Sequence, residues 1–157
     1  ASLGAIAEPD MLMPALERFA PTFARALREA ICARLGIAPQ GEEADSRLLA
    51  AMEEGLGQSS DMIDRFFFDW RGGRRRGPSP ADAVYDSEHF ARFRDLVAGY
   101  GPVVSADHPY WSGPGPCSMH IEDVEAIWSR IDEADDCSAL EGKVAGVRRV
   151  GEALARP

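Results

Sequence analysis

Four arginines fall within one short stretch, Arg71, Arg74, Arg75 and Arg76, interrupted by Gly72 and Gly73. Forked guanidinium groups suit bidentate contact with phosphate or carboxylate oxygens. Set against that, runs of like charge are commonly solvated surface. The two glycines follow a helix-like segment and lead into the arginines, so the stretch matches neither GxGxxG nor GxxxxGK[ST], which need a strand before and a helix after. The four arginines are therefore candidates for contact with a phosphate or an acidic partner, beside the plainer reading of a solvated loop.

Cys117 and His120 stand three apart, with Glu122 and Asp123 close by. A zinc site needs about four ligands, and no second Cys/His pair completes one; His108 could supply at most a third. The chain is expected to carry no metal site, Cys117 being partly buried and His120 capping a helix. Nucleophilic catalysis would need Ser or Cys beside a base and an orienting acid. Ser112, Ser118 and the three histidines offer combinations, but no GxSxG elbow supports any of them. The acids Glu42-Glu43, Glu53-Glu54 and Asp132 to Asp136 read as solvated surface. No catalytic or cofactor-binding residue is assigned, and a small hydrolase would require a Ser/Cys-His-acid cluster that only folding could assemble.

Phe66-Phe67-Phe68-Asp69-Trp70 places aromatic residues consecutively. At helical spacing Phe66, Phe67 and Trp70 share an inward face, while Phe68 points elsewhere. Phe68 is expected to meet either the later proline-rich connector or a neighbouring domain, and Tyr110 is a second candidate for such an interdomain contact.

The elements that must position these residues read as helical. Leu12, Leu16 and Phe19 mark a helix over Pro9 to Ala20, and Pro21 is expected to end it and start another. Phe23, Leu27, Ile31 and Leu35 then recur every four residues, with Gly36 as C-cap. Leu48, Leu49, Met52 and Leu56 mark the next helix, with Gly55 and Gly57 at its frayed end. Ser59 or Ser60 can cap a third, carrying Ile63, Phe66, Phe67 and Trp70. Residues 72–80 read as a surface loop with little order. A turn from Pro80 to Tyr85 precedes a helix with Phe90, Phe93 and Val97, capped by Ser87. Residues 101–118 hold four prolines and three glycines and form an irregular connector. Ile121, Val124, Ile127, Trp128 and Ile131 mark another helix, entered near Ser118. The last one carries Leu140, Val144, Val147 and Leu154, with capping-box spacing between Ser138 and Glu141. No stretch alternates apolar and polar residues as a strand does. The expected fold is all-α: about six helices around a single core, with irregular loops at 72–80 and 101–118, and 1–157 as one domain.

The 157 residues carry 17 Lys and Arg against 26 Asp and Glu, a formal net charge of −9. That balance argues against general attraction to nucleic acid or anionic membrane. No apolar run is long enough to span a bilayer, and Ala1 to Pro9 lacks the basic start of a secretory signal. Three scattered cysteines suggest neither a disulfide framework nor a zinc knuckle, so a cytoplasmic location is expected. The chain begins at Ala1 in an apolar stretch, which fits either a processed terminus or a piece of a longer protein.

Several segments together resemble the C-terminal region of the selenoprotein O (SelO, or bacterial YdiU-type) family. They are Phe19-Ala20-Pro21, Arg34-Leu35-Gly36, Glu42-Glu43-Ala44-Asp45, Phe66 to Gly73, His108-Pro109-Tyr110, Pro116-Cys117-Ser118-Met119 and Val124-Glu125-Ala126-Ile127-Trp128. In order and spacing they cover most of residues 19–150. Members of that family have a kinase-like fold and transfer AMP from ATP, with a divalent metal such as Mg or Mn, to hydroxyl groups of protein substrates. The resemblance implies that the catalytic Lys, Asp and Asn and the glycine-rich segment belong to an N-terminal kinase-like part outside this chain. It places ATP and metal there, and implies that this chain is a helical C-terminal piece without activity of its own. Some members carry a redox-active Cys or selenocysteine near the C-terminus; this chain ends Ala155-Arg156-Pro157, and Cys137 is the nearest thiol. The reading from a different class is a free-standing helical interaction module that binds through the arginine loop and the proline-rich connector.

Overall fold

The computed structural model describes residues 9–57 and 62–155, with side chains from Leu12 onward. Among the described residues seven helices follow one another: α1 (Pro9–Leu35), α2 (Glu42–Leu56), α3 (Ile63–Asp69), α4 (Asp82–Tyr85), α5 (Ala91–Val97), α6 (Ile121–Ala134) and α7 (Ser138–Leu154). Single 3-10 turns cover Glu88–Phe90 and Pro109–Ser112. Among the described residues β pairing is limited to one isolated bridge, Ile37 with Pro102. The chain is all-α. Ser59 and Ser60 lie outside the described residues.

Pro21 does not divide α1. Pro14 and Pro21 both sit inside one 27-residue helix. A proline deletes one intrahelical bond, and the helix formers on either side, Ala15-Leu16-Glu17 and Ala24 to Leu27, carry the path across it. Gly36 ends the helix with φ +71°, a left-handed conformation that glycine adopts without strain. The outer half of α1 is exposed, with Leu16, Phe19 and Phe23 in solvent. Its inner end enters the core through Cys32 and Leu35.

That core is built mainly from the middle of the chain. α2 contributes Leu48, Ala51, Met52 and Leu56, and lies closely against α5, which contributes Phe93 and Val97. Phe66, Trp70, Tyr85, Phe90 and Phe93 meet largely edge to face, with ring centroids 5.1–6.1 Å apart. Each such pair adds roughly 0.5–1.5 kcal/mol beyond its buried area. Gly55, the penultimate residue of α2, is buried rather than frayed, and a Cβ there would come within 2.8 Å of the Phe90 ring.

The expected single core is in fact a main core and a small satellite. The satellite joins Phe68, Trp111 and Ala153, with Ala106 and Tyr110 against it. No residue of α6 is buried, and of α7 only Ala153. The two helices form a hairpin closed by polar links: Lys143 Nζ donates to Asp123 Oδ2 (2.8 Å) and to the Ser118 carbonyl (2.7 Å). At the bend Asp135 takes the left-handed position (φ 51°), which Asp tolerates better than most residues. Asp136 accepts from Arg130 and from the Ser138 amide (2.9 Å). Asp136 thus satisfies the first amide of α7, and the capping box expected from Ser138 and Glu141 does not form. No described helix is long and apolar enough to cross a membrane.

Candidate functional site

The sequence candidates converge where α3 runs into the glycine-arginine stretch and the 101–118 connector folds back over it. Arg71 is only 4% exposed. Its Nη1 donates to the carbonyls of Ala33 (3.0 Å) and Arg34 (2.8 Å), closing the C-terminal end of α1, where carbonyls lack helical partners. Burial pushes its pKa below the usual arginine value. Arg75 lies between Asp82 and Asp86, at 2.5 and 2.6 Å, and chiefly the bond to Asp86 raises its pKa. Arg76 is half-buried. Its Nε and Nη2 donate to the Phe68 carbonyl (3.1 and 2.7 Å) and its Nη1 to the Trp111 carbonyl. Arg74 is exposed. The four arginines therefore do not form one cluster: two turn inward onto carbonyls, one pairs with acids, and one faces solvent.

The same contacts explain why 72–80 is an anchored segment rather than a loosely held loop. The Gly72 amide donates to the Leu35 carbonyl (2.6 Å) and the Arg76 amide to the Asp69 carbonyl (3.2 Å). A Cβ on Gly73 would come within 2.8 Å of Ile37, so only glycine allows the segment to lie this close. Like-charge repulsion is offset where Arg75 pairs with Asp82 and Asp86.

Phe68 meets the connector, the first of its two expected neighbours. It is 5% exposed, perpendicular to Tyr110 (5.4 Å between centroids) and tilted against Trp111 (5.9 Å). Tyr110 is partly buried and accepts a hydrogen bond from the Cys117 amide (3.1 Å). Neither is an exposed apolar surface. Arg76 stands 4.6 Å above the Phe68 centroid and 5.5 Å from that of Trp111, whose ring also lies 5.1 Å from Arg71. Trp111 thus has guanidinium groups of both inward arginines near its ring.

Two buried carboxylates escaped the reading of acids as solvated surface. Asp69 accepts from the hydroxyls of Ser79 and Tyr85 and pairs with Arg65 (3.2 Å). Asp45 accepts from the amides of Gln40 and Gly41 and from the Tyr100 hydroxyl (3.0 Å). Burial is the first cause, and these acids a further one, of the raised pKa of both tyrosines. Asp45 sits in an acidic helix start and Asp69 in an aromatic run, and their tyrosine partners Tyr100 and Tyr85 are 55 and 16 positions away, so local spacing gave no signal of burial.

The candidate ligands remain apart. His108 is buried, and its Nδ1 accepts from the Tyr110 amide (3.1 Å), a local turn contact. His120 occupies the N-cap position of α6 without a side-chain bond. Cys117 is partly buried, Cys137 exposed, and burial raises the Cys32 thiol to about 11. Among the described residues no group of three His, Cys, Asp or Glu could hold a metal ion. Among the described residues no hydrogen bond joins a histidine to a serine, cysteine or carboxylate.

A large uncovered apolar feature lies on the α6–α7 hairpin. Met119, Val124, Trp128, Leu140, Val144 and Val147 all stand exposed, Trp128 at 65%. They border a groove of about 710 Å³. Contiguous apolar surface of this kind is uncommon on a folded chain unless something covers it. Compared with protein-family models, with curated proteins and with solved structures, the chain matches none.

Proposed function

We propose that this chain is the helical C-terminal accessory domain of a selenoprotein O-like protein adenylyltransferase. In that reading a kinase-like lobe outside the chain binds ATP with Mg or Mn and transfers AMP to protein hydroxyl groups. This domain buttresses that lobe and helps shape the surface that receives protein substrates. The observation that carries it is the bare apolar face of α6 and α7: helices of this amphipathic pattern are stable when the face is covered, and nothing in the described chain covers it. The segments that resemble the family include this hairpin, through Val124-Glu125-Ala126-Ile127-Trp128. Phe68 and Tyr110 have internal partners, so the docking role passes from them to Trp128 and its neighbours.

The test begins with the reading frame upstream of Ala1, and continues with its product incubated with labelled ATP and Mg or Mn. A kinase-like Lys and an Asp/Asn pair upstream, with AMP transferred to protein hydroxyls, support the proposal. A start codon immediately before Ala1 would overturn it and favour the free-standing interaction module. In the same reading, the isolated chain neither binds ATP-Mg at micromolar concentration nor transfers AMP.

A further inference from the structure

A second cleft, of about 390 Å³, opens between the end of α3 and the 3-10 turn of the connector, bordered by Arg65, Asp69, Arg76, Ser112 and Gly113. Two guanidinium groups share its wall, both within 5.8 Å of the Phe68 ring centroid. Among the described residues the wall holds a single carboxylate, Asp69, which already accepts from Ser79, Tyr85 and Arg65. Among the described residues Arg76 pairs with no carboxylate; its partners are the neutral carbonyls of Phe68 and Trp111. The cleft therefore carries one positive charge in excess, inside a chain whose net charge is −9.

The donors have capacity left. A guanidinium has five N–H groups. The bonds of Arg76 to the two carbonyls occupy Nε and one hydrogen on each Nη, leaving a second hydrogen on Nη1 and on Nη2. Arg65 uses Nε on Asp69 and Ser79 (both 3.2 Å) and Nη1 on the Pro114 carbonyl (2.8 Å), and among the described residues Nη2 has no partner. Gly115 lets the connector approach, since a Cβ there would come within 2.5 Å of Arg65 Nη1. The carbonyl bonds fix both forks before any ligand arrives, so little side-chain entropy is lost on binding.

We infer that this cleft is a binding site for a phosphate-sized oxyanion, held by Arg65 and Arg76 and bordered by the backbone at Ser112 and Gly113. Planar forks favour phosphate oxygens over a spherical anion such as chloride. The site differs from the apolar groove of α6–α7 and does not depend on the adenylyltransferase reading.

The experiment is a titration of the full chain, labelled with nitrogen-15, with inorganic phosphate at constant ionic strength made up with chloride. Saturable shifts are expected at the Gly113 and Gly77 amides and the Arg76 Nε–H, with half-saturation at or below about 1 mM. Phenyl phosphate in a parallel arm separates the sources. Tighter binding than inorganic phosphate identifies an ester ligand, weaker binding identifies the free ion, and either result supports the site. Arg76→Gln is expected to weaken binding at least tenfold. Because that change also removes bonds to two carbonyls, exposed Ser112 supplies a second variant: Ser112→Glu places a carboxylate at the mouth and is expected to abolish the shifts while the fold persists. Linear, unsaturated shifts, or equal response in Ser112→Glu, would overturn the inference.

Discussion

The Arg71 guanidinium donates to the Arg34 carbonyl at 2.8 Å across 37 positions of sequence, so the end of α3 closes the end of α1. The same nitrogen reaches the Ala33 carbonyl. Replacing Arg71 with Met keeps much of the buried stem and removes both bonds. A loss of about 2–4 kcal/mol is expected, read as a lower urea midpoint with an unchanged slope. Arg71→Lys is expected to recover only part of it, because the shorter lysine stem and compact, strongly hydrated ammonium do not reach and desolvate as the guanidinium does.

Gly55 and Phe90 make the next prediction. Alanine is favoured over glycine by up to about 1 kcal/mol in a helix interior and by less in the last turn, where Gly55 lies, which would make Gly55→Ala mildly stabilising in isolation. The added Cβ would sit 2.8 Å from the Phe90 ring, and overpacking of this kind costs about 1–3 kcal/mol. The net effect expected in thermal unfolding is destabilisation, relieved when Phe90→Leu is added in the same chain.

Alkaline pH supplies a third. Tyr85 and Tyr100 have pKa values raised above the ordinary value of 10.0, first by burial and then by Asp69 and Asp45 respectively. Cys32 is raised from 9.0 to about 11, again by burial and then by Asp45. Each group holds its proton more tightly folded than unfolded. Their stabilisation is therefore full below pH 9 and is lost as pH rises through 9 to 11 and beyond. Urea midpoints are expected to fall steeply above pH 9, and less steeply in Tyr85→Phe and Tyr100→Phe.

At the opposite end of the scale lies Asp136, held down to about 2 from an ordinary 3.8, chiefly by its bonds to Ser138 and then by Arg130. A depressed carboxylate contributes above its unfolded value and loses that contribution as pH falls from about 4 to about 2. The side-chain carboxyl resonance is expected to titrate near 2. Asp136→Asn is expected to loosen the α6–α7 bend in hydrogen exchange while α2 and α5 stay protected.

Trp128 tests the docking face. At 65% exposure it contributes little to the isolated fold, so Trp128→Ser is expected to change stability by under about 0.5 kcal/mol. In the product of the longer reading frame the same substitution is expected to weaken attachment of this domain, seen as earlier proteolytic separation. Equal behaviour of the two proteins in both measurements would remove the α6–α7 face from the proposed interface.

Much of this architecture was legible because it depends on local periodicity. The four-residue spacing from Phe23 to Leu35 and the run from Ile121 to Ile131 each specify a helix regardless of what lies opposite. The same logic failed at Pro21, where flanking helix formers outweigh one deleted bond. It also failed at α6 and α7: amphipathic spacing tells which face is apolar, but not whether this chain supplies its cover. The arginines were found by composition, yet their roles were not. Whether a guanidinium meets a carbonyl, a carboxylate or water is decided by residues 8 to 38 positions away, and no local pattern records that. Arg65 drew no attention because one arginine in a helix is ordinary; its partners at Ser79 and Pro114 appear only once the connector folds back.

The hairpin of α6 and α7 reaches the rest of the molecule chiefly through Ala153 and Trp111. Few apolar contacts would break if it lifted away, so it forms a cooperative unit of its own. Its amides should exchange with solvent while those around Phe66 and Phe93 remain locked, and a protease should cut near Asp135 long before the aromatic core opens. Burial of Trp128 by a partner would convert this detachable limb into a rigid one, coupling the order of the C-terminal hairpin to whether that partner is present.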